Sequence, residues 1–172
     1  MLKNFVVILL ITTLVSCAGS KPVVKNENKI VTGIIDKSVL EALPYKNWFS
    51  PKYERVTFSE VVVLNIKKHI KDVKIKAFMG VWCGDSKREL PVFYKLLKEV
   101  DFDESNLEMI AVNHNKKAKG LTKGYNIIKV PTFIFYRDNK ELGRFVEYPM
   151  ESLEEDIFKI ISGKTYKHFY ED

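Results

Sequence analysis

Cys83 stands in the run Gly80-Val81-Trp82-Cys83-Gly84-Asp85-Ser86-Lys87-Arg88-Glu89-Leu90-Pro91 and is one of two cysteines in the chain. The thiolate is the reactive form of cysteine, so the groups around Cys83 decide what it can do. A second cysteine at position 86 would complete a dithiol redox motif, but Ser86 stands there. A serine hydroxyl can donate a hydrogen bond to the Cys83 sulfur, yet it cannot attack a disulfide. Cys83 can therefore form a mixed disulfide with a partner, and nothing within the motif can resolve it. Release needs a thiol from the partner or from a third molecule, which fits disulfide isomerisation or relay through an outside reductant. It does not fit net two-electron reduction of a substrate by the motif alone. Asp85 brings a negative charge that disfavours a neighbouring thiolate, and Lys87 and Arg88 are placed to offset it. Trp82 either shields the sulfur or packs.

Other chemistries find less support. His69, His114 and His168 share no metal-ligand spacing with Cys83, so no metal and no cofactor is implied. No phosphate-cradling glycine loop and no Ser-His-Asp arrangement can be read. The net charge of +6 comes from 28 basic residues spread along the chain without a dense run, which argues against a nucleic-acid partner.

The elements that must position Cys83 follow from apolar spacing. Residues 73–79 alternate Val73, Ile75, Ala77 and Met79 against Lys74 and Lys76, which reads as a strand ending just before the motif. Leu90, Phe93, Leu96, Leu97 and Val100 repeat at helical spacing directly after it. Cys83 thus falls at a strand-to-helix turn, where first-turn N–H groups and the helix dipole favour an anion. Upstream, Val62, Leu64, Ile66 and Ile70 mark a helix that Ser59 could cap. Further upstream, Asp36 or Ser38 could cap a short helix over Val39–Leu43, ended by Pro44. Trp48, Phe49 and Tyr53 read as packing residues. Downstream come a strand in 107–113, a helical or irregular link, two strands joined by a turn at Asp138-Asn139, and a closing helix. That helix carries Leu153, Ile157, Ile160 and Ile161 on one face and stops at Gly163. Crossovers followed by a hairpin imply an α/β sandwich of three layers around a mixed sheet.

Together, Trp82-Cys83-Gly84-Asp85-Ser86, Pro91 inside the next helix, Val130-Pro131-Thr132 and Gly143 after the hairpin turn resemble the thioredoxin family. The resemblance covers about residues 57 to 163 and departs from the family at Ser86. It implies a thioredoxin-like α/β/α fold and thiol–disulfide oxidoreductase or isomerase activity through Cys83, with Trp82, Asp85 and Ser86 around it. It also implies a cis Val130–Pro131 bond facing the cysteine, where an extended substrate could add as a strand. The alternative is a non-catalytic thioredoxin-fold module that binds extended polypeptides and keeps Cys83 as a vestige.

The first residues differ from the rest. An apolar run from Phe5 to Val15 follows Lys3, too short to cross a bilayer and typical of a signal peptide. Leu14-Val15-Ser16-Cys17 resembles the bacterial lipobox, which implies cleavage before Cys17 and a diacylglyceryl group on its sulfur. An ordinary signal peptide cut near Ala18 or Gly19 is the alternative. The expected organisation is a lipoprotein signal peptide over 1–16, a lipid anchor and tether over 17–30, an extension packing on the domain over 31–56, a thioredoxin-like domain over 57–163 and a tail over 164–172. The expected location is the bacterial cell envelope, facing the periplasm or exterior. The expected partners are protein thiols and disulfides there, with the membrane held through the N-terminal lipid. Loss of 1–16 and lipidation of Cys17 would leave Cys83 as the lone free thiol, a residue exported proteins rarely keep idle.

Overall fold

The computed structural model describes residues 30–171, so the expectations for Cys17, the signal peptide and most of the tether lie outside the described residues. In chain order the elements are β1 (Gly33–Ile35), α1 (Lys37–Glu41), α2 (Lys46–Arg55), α3 (Glu60–Ile70), β2 (Lys74–Met79), α4 (Gly84–Glu99), β3 (Leu107–Ala111), β4 (Thr132–Arg137), β5 (Lys140–Val146) and α5 (Leu153–Ser162). The strands form one sheet in the order β1-β3-β2-β4-β5. β2 and β3 run parallel, and the other three pairs are antiparallel.

Strand alternation divides the apolar residues between two faces. Ile75, Ala77 and Met79 of β2 join Met109, Ala111, Phe133, Phe135 and Phe145 on the first face, against Ile66 and Ile70 of α3, Leu90 and Phe93 of α4, and Ile157 and Ile160 of α5. Phe93, Phe133 and Phe145 stack with centroids 4.1 and 5.3 Å apart. Such aromatic pairs add about 0.5–1.5 kcal/mol each beyond burial. Phe78, Ile110 and Ile134 face the other way, onto Val112, Ala118 and Val130 with Leu121, Tyr125 and Ile127. The mixed sheet between two layers is as expected, and the second layer is built from turns of the 112–131 link, with no assigned helix there.

The hairpin turn falls at Asp138 and Asn139, with φ of 49° and 60°. Positive φ at both central residues matches the twist of the flanking strands, and Asp and Asn tolerate it better than most residues. Arg137, at the end of β4, donates to the carbonyls of His69 (2.6 Å) and Ile161 (3.2 Å), satisfying C-terminal carbonyls of α3 and α5 together. Gly143 lies where an added Cβ would meet Ile160 Cγ2 at 3.2 Å, so its lack of a side chain seats α5 on β5. α4 continues through Pro91 to Glu99.

Several features depart from the pattern read in the chain. Gly33–Ile35 joins the sheet edge beside β3, and Lys46–Arg55 is a helix despite Pro51. The segment 31–56 therefore supplies a strand as well as packing; Phe49 is 1% exposed and meets Tyr94 edge-on at 5.9 Å. The first helix covers 37–41, two residues earlier than expected, because Asp36 is the cap and accepts from Ser38 N–H at 2.8 Å. Ser59 occupies the cap position of α3 without a side-chain capping bond. Beyond α5, the tail folds back: Tyr166 Oη donates to Asp156 Oδ2 at 3.2 Å, and His168 is buried.

Candidate functional site

Cys83 sits at the N-cap of α4 with extended dihedrals (φ −82°, ψ 128°), immediately after the turn that leaves β2. Its N–H donates to Gly80 O at 2.9 Å, and its carbonyl accepts the first bond of α4 from Lys87 N–H at 3.1 Å. The backbone is thus fixed on both sides of a thiol that remains partly exposed. The helix carries acidic Asp85 in its first turn.

No hydrogen bond joins the sulfur to Ser86. Its thiol donates to Val130 O at 3.1 Å, and Asp85 Oδ2 lies 4.0 Å away. Ser86 is fully buried, and its Oγ accepts from Gly80 N–H at 3.2 Å. The expected Ser86-to-sulfur bond is therefore replaced by a bond that closes the 80–86 turn. The reason is burial: a hydroxyl under the turn must satisfy the backbone donor beside it. The Val130–Pro131 bond is cis, and Pro131 O accepts from Glu147 N–H at 2.7 Å. Chain positions 47 residues apart meet at the sulfur.

Trp82 packs, and it is held on several sides. Its Nε1–H donates to Val112 O at 2.9 Å, and its ring lies tilted against His114 with centroids 4.4 Å apart. A Cβ on Gly80 would approach the indole to 2.6 Å, so glycine is required there for the ring to sit down. His114 is fixed by the following turn, in which Asn113 Oδ1 accepts from the N–H groups of Asn115 and Lys117, each at 3.0 Å.

Asp85 is paired with Arg88 at 2.7 Å, and the same guanidinium reaches Glu89 at 2.7 Å. Arg88 is the cation that offsets the Asp85 charge. Glu89 is 5% exposed, and burial pushes its carboxyl above the usual range against the pull of Arg88. The Arg88–Glu89 contact and the His114 contact with Trp82 carry no signal in the sequence beyond ordinary surface charge and an isolated histidine.

Similarity to known proteins agrees with this geometry. A family model described as Thioredoxin matches residues 42–158. Over 150 residues the chain is 26% identical to thioredoxin H5 of Oryza sativa subsp. japonica, spanning 87% of this chain and 96% of that protein. It is 28% identical over 106 residues to a thioredoxin-like protein of Acanthamoeba polyphaga mimivirus, spanning 57% of this chain and 73% of that one. A solved structure of a Pseudomonas aeruginosa protein of unknown function superposes with a TM-score of 0.59 at 14% identity, over 77% of this chain and 93% of its own. At that identity the likeness is one of fold.

Proposed function

The chain belongs to the thioredoxin family, its model matching well over half of the residues, and on that premise we propose that it is a thiol–disulfide oxidoreductase or isomerase acting through Cys83 alone. The observation that carries the reading is the placement of a partly exposed thiol at the N-cap of α4, 3.1 Å from Val130 O beside cis-Pro131. The Cys83 proton passes to solvent, and the sulfur attacks one sulfur of a substrate disulfide. A Cys83–substrate disulfide forms, the substrate S–S bond breaks, and the second substrate sulfur leaves as a thiolate. When a different thiol of the same substrate then attacks the mixed disulfide, Cys83 departs and the substrate disulfide has moved, with no net oxidation. The backbone beside Val130–Pro131 receives the substrate segment, and Asp85 with Arg88 sets the charge next to the sulfur.

Alkylation tests this directly. Iodoacetamide should modify Cys83 in the native protein at neutral pH at least as fast as in the denatured chain, because the thiol is accessible and faces the first turn of α4. Asp85→Asn should raise the native rate and Arg88→Ala should lower it, each about two- to fivefold, by removing one charge close to an anionic sulfur. Native reaction far slower than denatured, unmoved by either variant, would leave the polypeptide-binding module as the better account.

Attachment to the cell envelope rests on Leu14-Val15-Ser16-Cys17. We place the mature protein on the membrane by a diacylglyceryl thioether at Cys17, facing the periplasm or exterior, where protein thiols and disulfides are its partners. Intact mass of the membrane-extracted protein should show cleavage before Cys17 and added lipid, both lost in Cys17→Ala. A wild-type mass without lipid would contradict the anchor.

A further inference from the structure

Arg88 makes two contacts of different kinds beside Cys83. Its Nη2 meets Asp85 Oδ1 at 2.7 Å, while Asp85 Oδ2 lies 4.0 Å from the Cys83 sulfur. Residues three apart on a helix face each other, so this pair follows from spacing alone. Arg88 Nε–H also donates to Glu89 Oε1 at 2.7 Å. Adjacent residues on a helix do not face each other, so this second contact requires the Arg88 side chain to turn across the surface of α4. Two carboxylates therefore grip two nitrogens of one guanidinium. A line of contacts runs from the sulfur through Asp85 and Arg88 to Glu89.

The two ends of that line differ in burial. The side chains of Asp85 and Arg88 are 31% and 46% exposed, and that of Glu89 is 6% exposed. An exposed ion pair is weakly held, because water competes for both charges and two side chains must give up their freedom. Left with Asp85 alone, Arg88 would spend much of its time in water, and the Asp85 charge would then act on the sulfur unopposed. Glu89 changes this. Among the described residues, Arg88 Nε is the one hydrogen-bond donor to its carboxylate, and Lys52 of α2 is the other cation acting on it. A buried carboxylate deprived of its cation is costly, so Glu89 holds Arg88 more firmly than Asp85 can. Packing alone does not call for a carboxylate here, since an apolar side chain of similar size fills such a position as well or better.

We infer that Glu89 is a positioning residue for Cys83: it holds Arg88 on Asp85 and so withholds the Asp85 charge from the sulfur. Its influence passes through Arg88 rather than through a contact with the sulfur. The inference rests on the Cys83 reading and adds to it what keeps the reactive form available. With the guanidinium fixed in place, the thiolate is favoured over what a bare Asp85 would allow.

The test alkylates the full chain with iodoacetamide across a range of pH, with peptide mapping to count only the label on Cys83. The thiol proton goes to solvent, the sulfur attacks the methylene carbon, a C–S bond forms and iodide leaves. Glu89→Met removes the acceptor while filling its space, and it leaves Arg88 half exposed, so no buried charge is stranded. Native Glu89→Met should react about threefold more slowly than wild type at neutral pH. The rising limb of its rate profile should move up by about half a pH unit and reach the same plateau. A change of accessibility or folding would lower the plateau instead. Glu89→Gln keeps an oxygen for Arg88 Nε and should recover most of the lost rate. In an Arg88→Ala background Glu89→Met should add nothing, because the contact through which it acts is already gone. Wild-type rates in Glu89→Met, a lowered plateau with an unmoved limb, or an equal loss in the Arg88→Ala background would overturn the inference while leaving Cys83 reactive. Wild-type protein that alkylates far more slowly when native than when denatured would overturn the Cys83 reading itself, and this inference with it.

Discussion

Replacing Ser86 by cysteine is expected to give a chain that releases mixed disulfides formed at Cys83 without an outside thiol. Positions 83 and 86 lie one helical turn apart at the start of α4, a spacing that brings side chains together. Ser86 is fully buried under the turn that carries Cys83, so a thiol placed there would be shielded from outside reagents yet next to the bond that must be broken. The new thiol would attack the Cys83–substrate disulfide, close an internal disulfide with Cys83 and expel the substrate thiol, so that two electrons pass to the substrate. Because this attack is intramolecular, turnover in an insulin-reduction assay with dithiothreitol should rise at least about tenfold. The adducts expected of wild type on non-reducing gels should fade in parallel. The substitution weakens the bond from Gly80 N–H, since sulfur is a poor acceptor, at a cost of about 1 kcal/mol. A Ser86→Cys protein that folds normally but reduces insulin no faster than wild type would show that Ser86 is not what interrupts the cycle.

Asp156→Ala should strongly destabilise the C-terminal part of the fold. The Asp156 carboxylate is fully buried and accepts from Met150 N–H at 2.6 Å, Glu151 N–H at 3.3 Å and Tyr166 Oη at 3.2 Å. Alanine removes the acceptor from all three, and unpaired buried donors cost enough for a total of about 3 kcal/mol. For a chain of this length that corresponds to a Tm lower by roughly 10 °C. The tail should also be released, since Tyr166 is one of its anchors. Burial pushes the Asp156 carboxyl above the ordinary aspartate range, against the lowering effect of these hydrogen bonds. A raised carboxyl favours the protonated folded state, so this contribution is full below the unfolded value and is lost as pH rises through the folded one. Asp156→Asn should therefore flatten the fall in stability as pH rises above the ordinary aspartate range. Thermal melts across that range decide the matter; a Tm for Asp156→Ala within about a degree of wild type would remove the anchoring role.

The parts of the fold that can be read from the chain are those set by local pattern. The alternation over 73–79, the helical spacing of Leu90, Phe93 and Leu97, the Asp138-Asn139 turn and the Ser152-capped closing helix each satisfy their own backbone and their own apolar face. The parts that cannot be read are held by distant partners. β1 is three residues long and exists as a strand only because β3 pairs with it. α2 contains Pro51 and draws its stability from the packing of Phe49 on Tyr94. Ser86 reads as a partner of the sulfur because both lie in one motif, but the bond it makes reaches back to Gly80, whose position is fixed by β2. The tail carries no periodicity, and its course depends on Asp156, Glu147 and Lys129, all at least ten residues away in sequence. The meeting of Cys83 with Val130 is legible only because the combined motifs resemble a known family.

The most direct test of the single-thiol mechanism is the intact mass of the reduced Cys17→Ala protein after exposure to a peptide disulfide. With Cys83 as the lone cysteine, each chain should gain the mass of one half-peptide, peptide mapping should place it on Cys83, and the adduct should survive removal of excess peptide until dithiothreitol is added. A protein that acquires no adduct at Cys83, or that discharges one without an added thiol, would contradict the account.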